Sequence, residues 1–185
     1  MNAEPLFKRL ALIGFGLIGG SIARAARVQG LAGEIVVTAR SPATRARVKE
    51  LGIVDRVVDT NEEAVKDADL VILCIPVGVC GEVAASIGPH LKAGAIVSDV
   101  GSVKATVLRE MAPHLPDSVH FIPAHPVAGT EHSGPDAGFA ELFINRWCIL
   151  TPPPGADPAA VEKLAAFWRA LGANVETMSA EHHDL

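Results

Sequence analysis

Residues Leu10 to Ser21 read L-A-L-I-G-F-G-L-I-G-G-S, an apolar run followed by Gly14, Gly16 and Gly19 at G-x-G-x-x-G spacing and then by small residues. This order demands a strand, a tight turn and a helix in immediate succession. Gly14 permits the turn, Gly16 lets the backbone come close to a pyrophosphate, and Gly19 lets the helix pack tightly on the strand. The helix N-terminus then points its unsatisfied N–H groups and positive dipole end at the anion. Glycines also mark ordinary turns, but the apolar strand before this one and the Ala-rich stretch Ile22 to Val28 after it supply the context of a dinucleotide site. Phe15, Leu17 and Ile18 complete the candidate cofactor turn.

With 185 residues the chain is one generous domain or one domain with the start of another, and long enough to bury a substantial core. Hydrophobic residues make up 49%, charged residues 20%, and the net charge is −5, which argues against nucleic acid as a partner and for a small molecule. Cys74, Cys80 and Cys148 have neither metal-ligand nor C-x-x-C spacing and are expected to act as buried small hydrophobes in a reducing compartment. The opening M-N-A-E-P-L-F-K-R is too short and polar for a signal peptide, and no apolar run reaches transmembrane length. The expected location is the cytoplasm, with no membrane partner.

Short β-rich runs alternate with helical stretches. Strands are expected at Leu10 to Ile13, Glu34 to Ala39, Leu70 to Ile75, Ala95 to Ser98, His120 to Pro123, Cys148 to Leu150 and Asn174 to Thr177, with a weak strand at Arg56 to Val58. Helices are expected at Gly19 to Val28, Ala43 to Leu51, Glu62 to Val65, Gly81 to His90, Val103 to Ala112 and Pro158 to Leu171, with a last one starting at Met178 or Ser179. Pro42 and Pro158 suit the first turn of a helix, and T-P-P-P-G at Thr151 to Gly155 is a stiff connector. The pattern is α/β: a doubly wound, mostly parallel Rossmann sheet with helices on both faces.

In this fold the dinucleotide is discriminated at the end of the second strand, by a carboxylate for NAD or an arginine for NADP. Here I-V-V-T-A runs into Arg40 and Ser41, with Arg45 one helical turn on, and no carboxylate stands at the strand end. Glu34 begins the strand and should point away from the ribose. Arg40, Ser41 and Arg45 can hold a phosphate, favouring NADP over NAD, unless the arginines are simply solvated.

Chemistry is expected at the carboxyl ends of the strands, where the crevice opens. His125, directly after a strand and before Pro126, is held on a rigid backbone, and its near-neutral pKa suits taking a proton from a hydroxyl. Ser102 can orient that imidazole, although capping the following helix is the commoner use of an isolated serine there. Asp99 is expected to bind amides of its own turn, Lys104 either to approach the site or to be a solvated helix lysine, and His132 to lie at the surface. His182 and His183 beside Asp184 suggest a metal by composition, but adjacent helical side chains point about 100° apart, so no metal site is expected. Ile75 and Pro76 are placed to pack against the adenosine side of a cofactor.

Four motifs together resemble the prephenate and arogenate (cyclohexadienyl) dehydrogenases of tyrosine biosynthesis: G-F-G-L-I-G-G-S at Gly14 to Ser21, D-V-G-S-V-K at Asp99 to Lys104, H-P-V-A-G-T-E-H-S-G at His125 to Gly134, and M-S-A-E-H-H-D at Met178 to Asp184. The first is shared by many dehydrogenases; the second and third as a pair are specific. The resemblance implies oxidative decarboxylation of prephenate or arogenate, with hydride passing to NADP or NAD. It implies His125 as the catalytic proton acceptor, Ser102 as the serine bonded to it near the nicotinamide, and Thr130 and Glu131 in the loop shaping the substrate site. It further implies that residues 1–178 are the dinucleotide-binding domain and that 179–185 begin the link to an all-helical domain that builds a homodimer. Two other outcomes stay in view: a β-hydroxyacid or imine-type nicotinamide enzyme, whose families lack the second and third motifs, and a non-catalytic dinucleotide-sensing module, in which the crevice histidine has no task.

Overall fold

The computed structural model describes residues 4–185. The chain begins with β1 (Phe7–Ile13), α1 (Leu17–Val28), β2 (Ala32–Thr38), α2 (Pro42–Leu51), β3 (Arg56–Val57) and α3 (Asn61–Val65). It continues with β4 (Leu70–Leu73), α4 (Cys80–Ile87), β5 (Ile96–Asp99), α5 (Ala105–Met111) and β6 (His120–Phe121). The last part comprises β7 (Ala124–Pro126), β8 (Trp147–Leu150), α6 (Pro158–Ala170), β9 (Asn174–Thr177) and the short α7 (Ala180–His183).

Strands β1 to β6 form one parallel sheet in the order β3-β2-β1-β4-β5-β6. The direction of winding reverses between β1 and β4, so the crevice of the doubly wound sheet opens beyond the carboxyl ends of these two strands. Parallel strands covered on both faces must be apolar throughout, and L-V-I-L of β4 is buried at every residue. The period of two then sorts side chains between the layers. Leu10, Leu12, Ile35 and Ile72 pack with Ile22 and Ala26 of α1 and with Leu164, Phe167 and Trp168 of α6. Ala11, Ile13, Val71 and Val97 pack on the other face with Ala84 and Ile87 of α4 and Val107 and Met111 of α5.

Helix entries follow local chemistry. Ser41 accepts a hydrogen bond from the Thr44 amide and Asp157 from the Ala159 amide, each followed by a proline whose fixed φ suits the first helical position. The expected helix Gly81 to His90 is shorter: a 3-10 turn at Val77–Val79 precedes it, and it gives way at Gly88 to a second 3-10 turn containing Pro89.

The expected strand His120 to Pro123 is divided. β6 stops at Phe121, and after Ile122 and Pro123 the chain enters a second sheet, β7-β8-β9, with β7 antiparallel and β9 parallel to β8. His125 therefore lies inside a strand, opposite Ile149, and not in a turn after one. The crossing is pinned from both sides: Ser98 Oγ donates to the Ile122 carbonyl at 2.6 Å, and the Thr151 amide donates to the Pro123 carbonyl at 2.9 Å.

Candidate active site

The glycine turn fits a dinucleotide. Gly14 has φ +99°, and a Cβ there would collide with the Cys74 carbonyl oxygen at the end of β4, so only glycine serves. Gly16 is the opposite case: a Cβ would meet no protein atom within 4 Å, so its backbone faces open space that a ligand can fill. It is also the N-cap of α1, with no side-chain cap and no acidic residue in the first turn, which leaves the amides of Leu17 and Ile18 available to an anion. Gly19 packs against the carbonyl of Gly14, as the spacing requires. Ile75 and Pro76 follow β4 beside this turn, the Ile75 side chain reaching Gly14.

At the end of β2, Arg40 is exposed, whereas Arg45 folds back, its Nη1 donating to the carbonyls of Ala39 at 2.7 Å and Arg40 at 3.1 Å, with Nε 3.5 Å from Asp59. Arg45 thus closes the β2–α2 turn, leaving Arg40 and the Ser41 hydroxyl as the outward groups. Glu34 pairs with Arg9 and Arg56 at the other end of the strand.

The carboxyl end of β5 builds the second part of the site. Asp99 ends an apolar buried strand, and a charge in that position needs a partner. Lys104, expected on the helix and in one alternative solvated, is fully buried: its Nζ donates to Asp99 at 2.8 and 2.6 Å and to the Ala124 carbonyl at 2.6 Å. Asp99 in turn accepts from the Gly101 amide at 2.9 Å, as expected for its own turn, and from the Ala124 amide at 3.1 Å. Both polar groups of Ala124 are therefore clamped, and the next residue is His125. Burial pushes the Asp99 carboxyl up and the Lys104 ammonium down, each opposed by the other's charge. The signal for this pair was the aspartate itself, since Lys104 is the first cation after it in the chain.

Because Lys104 turns inward, α5 begins only at Ala105, and Ser102 does not cap it. Ser102 is exposed in the preceding loop and makes no hydrogen bond to His125. The cap comes from Asp184, whose two oxygens accept from the amides of Lys104 and Ala105, both at 2.9 Å. Asp184 also meets His183 Nδ1 at 2.7 Å, and His183 Nε2 lies 2.9 Å from His125 Nδ1. Sequence reasoning placed His183 and Asp184 in the fourth motif and weighed them as metal ligands, but gave neither a role at His125. The partners stand 58 and 80 residues apart, and nothing in local spacing joins them.

His125 is half-buried. Burial first, then the neighbouring His183 and Lys104, holds its pKa below the usual histidine value, with Asp184 opposing, so near neutrality the ring is unprotonated and able to accept a proton. The thiols of Cys74 and Cys148 are pushed up by burial, and that of Cys80 to about 11, which keeps all three protonated and unreactive.

Thr130 and Glu131 are exposed on the long connection between β7 and β8, where Thr130 Oγ1 accepts from the amide of the surface residue His132. This connection leans on α1: the Phe139 amide donates to Ser21 Oγ at 3.0 Å, Arg24 reaches the Pro135 carbonyl at 3.3 Å, and Arg47 of α2 pairs with Asp136 at 2.6 Å. It therefore crosses the helix that opens at the glycine turn.

Comparison with known proteins agrees with this architecture. Residues 22–177 match the family model described as prephenate dehydrogenase, nucleotide-binding domain. A cyclohexadienyl dehydrogenase of Zymomonas mobilis is 44% identical over 179 residues, covering 97% of this chain and 61% of the relative. A structure of prephenate dehydrogenase from Aquifex aeolicus in complex with hydroxyphenyl propionate and NAD+ superimposes with TM-score 0.87 at 31% identity, covering 95% of this chain and 61% of that one. Synechocystis arogenate dehydrogenase also gives TM-score 0.87, at 28% identity and with the same coverage of 95% and 61%. The chain thus spans about three fifths of the length of these relatives. It belongs to the prephenate dehydrogenase family and carries that family's nucleotide-binding domain.

Proposed function

We propose that this chain is the cofactor-binding and proton-accepting part of an enzyme that oxidatively decarboxylates prephenate or arogenate with a nicotinamide dinucleotide. The observation that carries the proposal is the clamp on Ala124, which presents a half-buried, readily deprotonated His125 at the carboxyl edge of the sheet whose first turn is open to a pyrophosphate. The bound nicotinamide supplies the hydride acceptor. Gly16 and the N-terminal amides of α1 hold the pyrophosphate, with Ile75 and Pro76 on the adenosine side. His125 takes the proton of the ring hydroxyl as the C–H bond at the carbinol carbon breaks with its electron pair. The ring carboxylate then leaves as carbon dioxide, its bonding electrons complete the aromatic ring, and the resulting phenolic oxygen recovers a proton. Aromatisation drives the reaction downhill, so the protein's contribution is orientation and a correctly placed base.

Ser102, upstream of α5 and exposed, is available to the substrate hydroxyl, and Thr130 and Glu131 line the approach from the β7–β8 connection. The outward Arg40 and Ser41, with no carboxylate among the residues that directly follow β2, support NADP over NAD. Steady-state reduction of NADP+ and NAD+ with prephenate and with arogenate tests the proposal. A His125→Asn variant should lose about 10²-fold or more in kcat, the usual contribution of a general base. Retention of activity by that variant, or inertness of the wild type toward both substrates, would overturn it.

A further inference from the structure

We propose that His183 and Asp184 are positioning residues that dictate which nitrogen of His125 carries the proton, leaving Nε2 as the base. The inference rests on the function proposed above and adds the residues that aim its base. Both oxygens of Asp184 accept backbone amides, so the carboxylate is held in place as an acceptor. The proton in the 2.7 Å contact with His183 therefore sits on His183 Nδ1. A neutral imidazole protonated on Nδ1 has only a lone pair on Nε2, so the proton in the 2.9 Å contact between the rings belongs to His125 Nδ1. The lone pair of His125 is thereby left on Nε2, the nitrogen free of this contact. The opposite arrangement, with His183 Nε2 donating to His125 Nδ1, requires a second proton on the His183 ring, because its Nδ1 already donates to Asp184.

The device couples two ends of the fold. The carboxylate that closes the N-terminus of α5 also orients the ring that orients His125, so the docking of α7 on α5 and the proton state of the base are one structural event. A serine protease triad uses the same logic, where a buried carboxylate fixes the tautomer of its histidine and the wrong tautomer is severely impaired. Here a second imidazole is interposed between carboxylate and base.

The test is two-bond ¹H–¹⁵N correlation of histidine-labelled protein near pH 8, comparing wild type with His183→Leu and His183→Gln. In the wild type, His125 should carry its proton on Nδ1 and show a bare Nε2, and His183 should be protonated on Nδ1 alone. Leucine offers no acceptor, so the His125 proton should redistribute toward Nε2. Glutamine, whose side-chain oxygen can accept from Nδ1–H, should restore the wild-type pattern. In turnover, His183→Leu should lower kcat about tenfold or more with KM little changed, and His183→Gln should recover most of it. A wild-type His125 protonated on Nε2, or a tautomer unchanged in His183→Leu, would overturn the inference. Because the tautomers are read without turnover, the expected spectra in a protein inert toward both substrates would sink the proposed reaction while leaving the relay intact.

Discussion

Replacing Lys104 by methionine removes the ammonium from its fully buried pair while roughly keeping the length of the stem. The variant loses contacts to both oxygens of Asp99 and to the Ala124 carbonyl, and it leaves a buried carboxylate supported only by the Gly101 and Ala124 amides. Three charge-assisted hydrogen bonds at about 1.5–3 kcal/mol each set an upper range, and the two surviving amide bonds reduce it. The expected loss is the about 3–5 kcal/mol typical of removing one partner from a buried ion pair. For a chain of this size each kcal/mol moves Tm by about 2–4 °C, so a fall of roughly 6–20 °C is expected. Urea titration followed by circular dichroism should show a lower midpoint with an unchanged slope. Removing both charges in Asp99→Asn/Lys104→Met should recover at least half the loss, because a neutral pair leaves no uncompensated buried charge. A single variant destabilised by less than about 1 kcal/mol, or a double variant no better than the single, would refute the claim that this pair secures the segment carrying His125.

The two glycines of the cofactor turn should behave oppositely. Gly14→Ala, strained at φ +99° and overlapping the Cys74 carbonyl, should cost about 2 kcal/mol or more in urea denaturation, whereas Gly16→Ala should fold normally and lose dinucleotide affinity by isothermal titration calorimetry. Arg40→Asp should move the ratio of NADP+ to NAD+ affinity toward NAD+; an unchanged ratio would discard the assignment of Arg40 to the added phosphate. Asp184→Ala should cost about 1 kcal/mol as a lost helix cap. Partial burial acts to raise the Asp184 carboxyl, but the Lys104 amide, His183 and the Ala105 amide hold it at about 2. A carboxylate depressed in the folded state stabilises fully above its unfolded pKa of about 3.9, and that contribution disappears as pH falls through the folded value. The stability gap between wild type and Asp184→Ala should therefore be constant above about pH 5 and shrink progressively as pH falls from there through about 2; a gap independent of pH across that window would show that the carboxylate is not the cap.

The glycine turn, the alternation of strands and helices and the proline-led starts of α2 and α6 were all legible in the sequence, because each depends on residues within a turn of one another. A positive φ, a period of two or a fixed proline φ is written in adjacent letters. The departure of the chain from the main sheet after Phe121 was not, since Ile122 and Pro123 suit either the end of one strand or the approach to another. Only the bonds from Ser98 and Thr151 decide it. The histidine was recognisable as a candidate base, but its setting was not. The inward turn of Lys104, the loss of Ser102 as a cap, and the convergence of Asp184, His183 and His125 depend on groups brought together from 20 to 80 residues apart. Steric and periodic demands are local and can be read along a chain, whereas the pairing of buried charges and the sharing of protons belong to whichever groups folding places within about 3 Å.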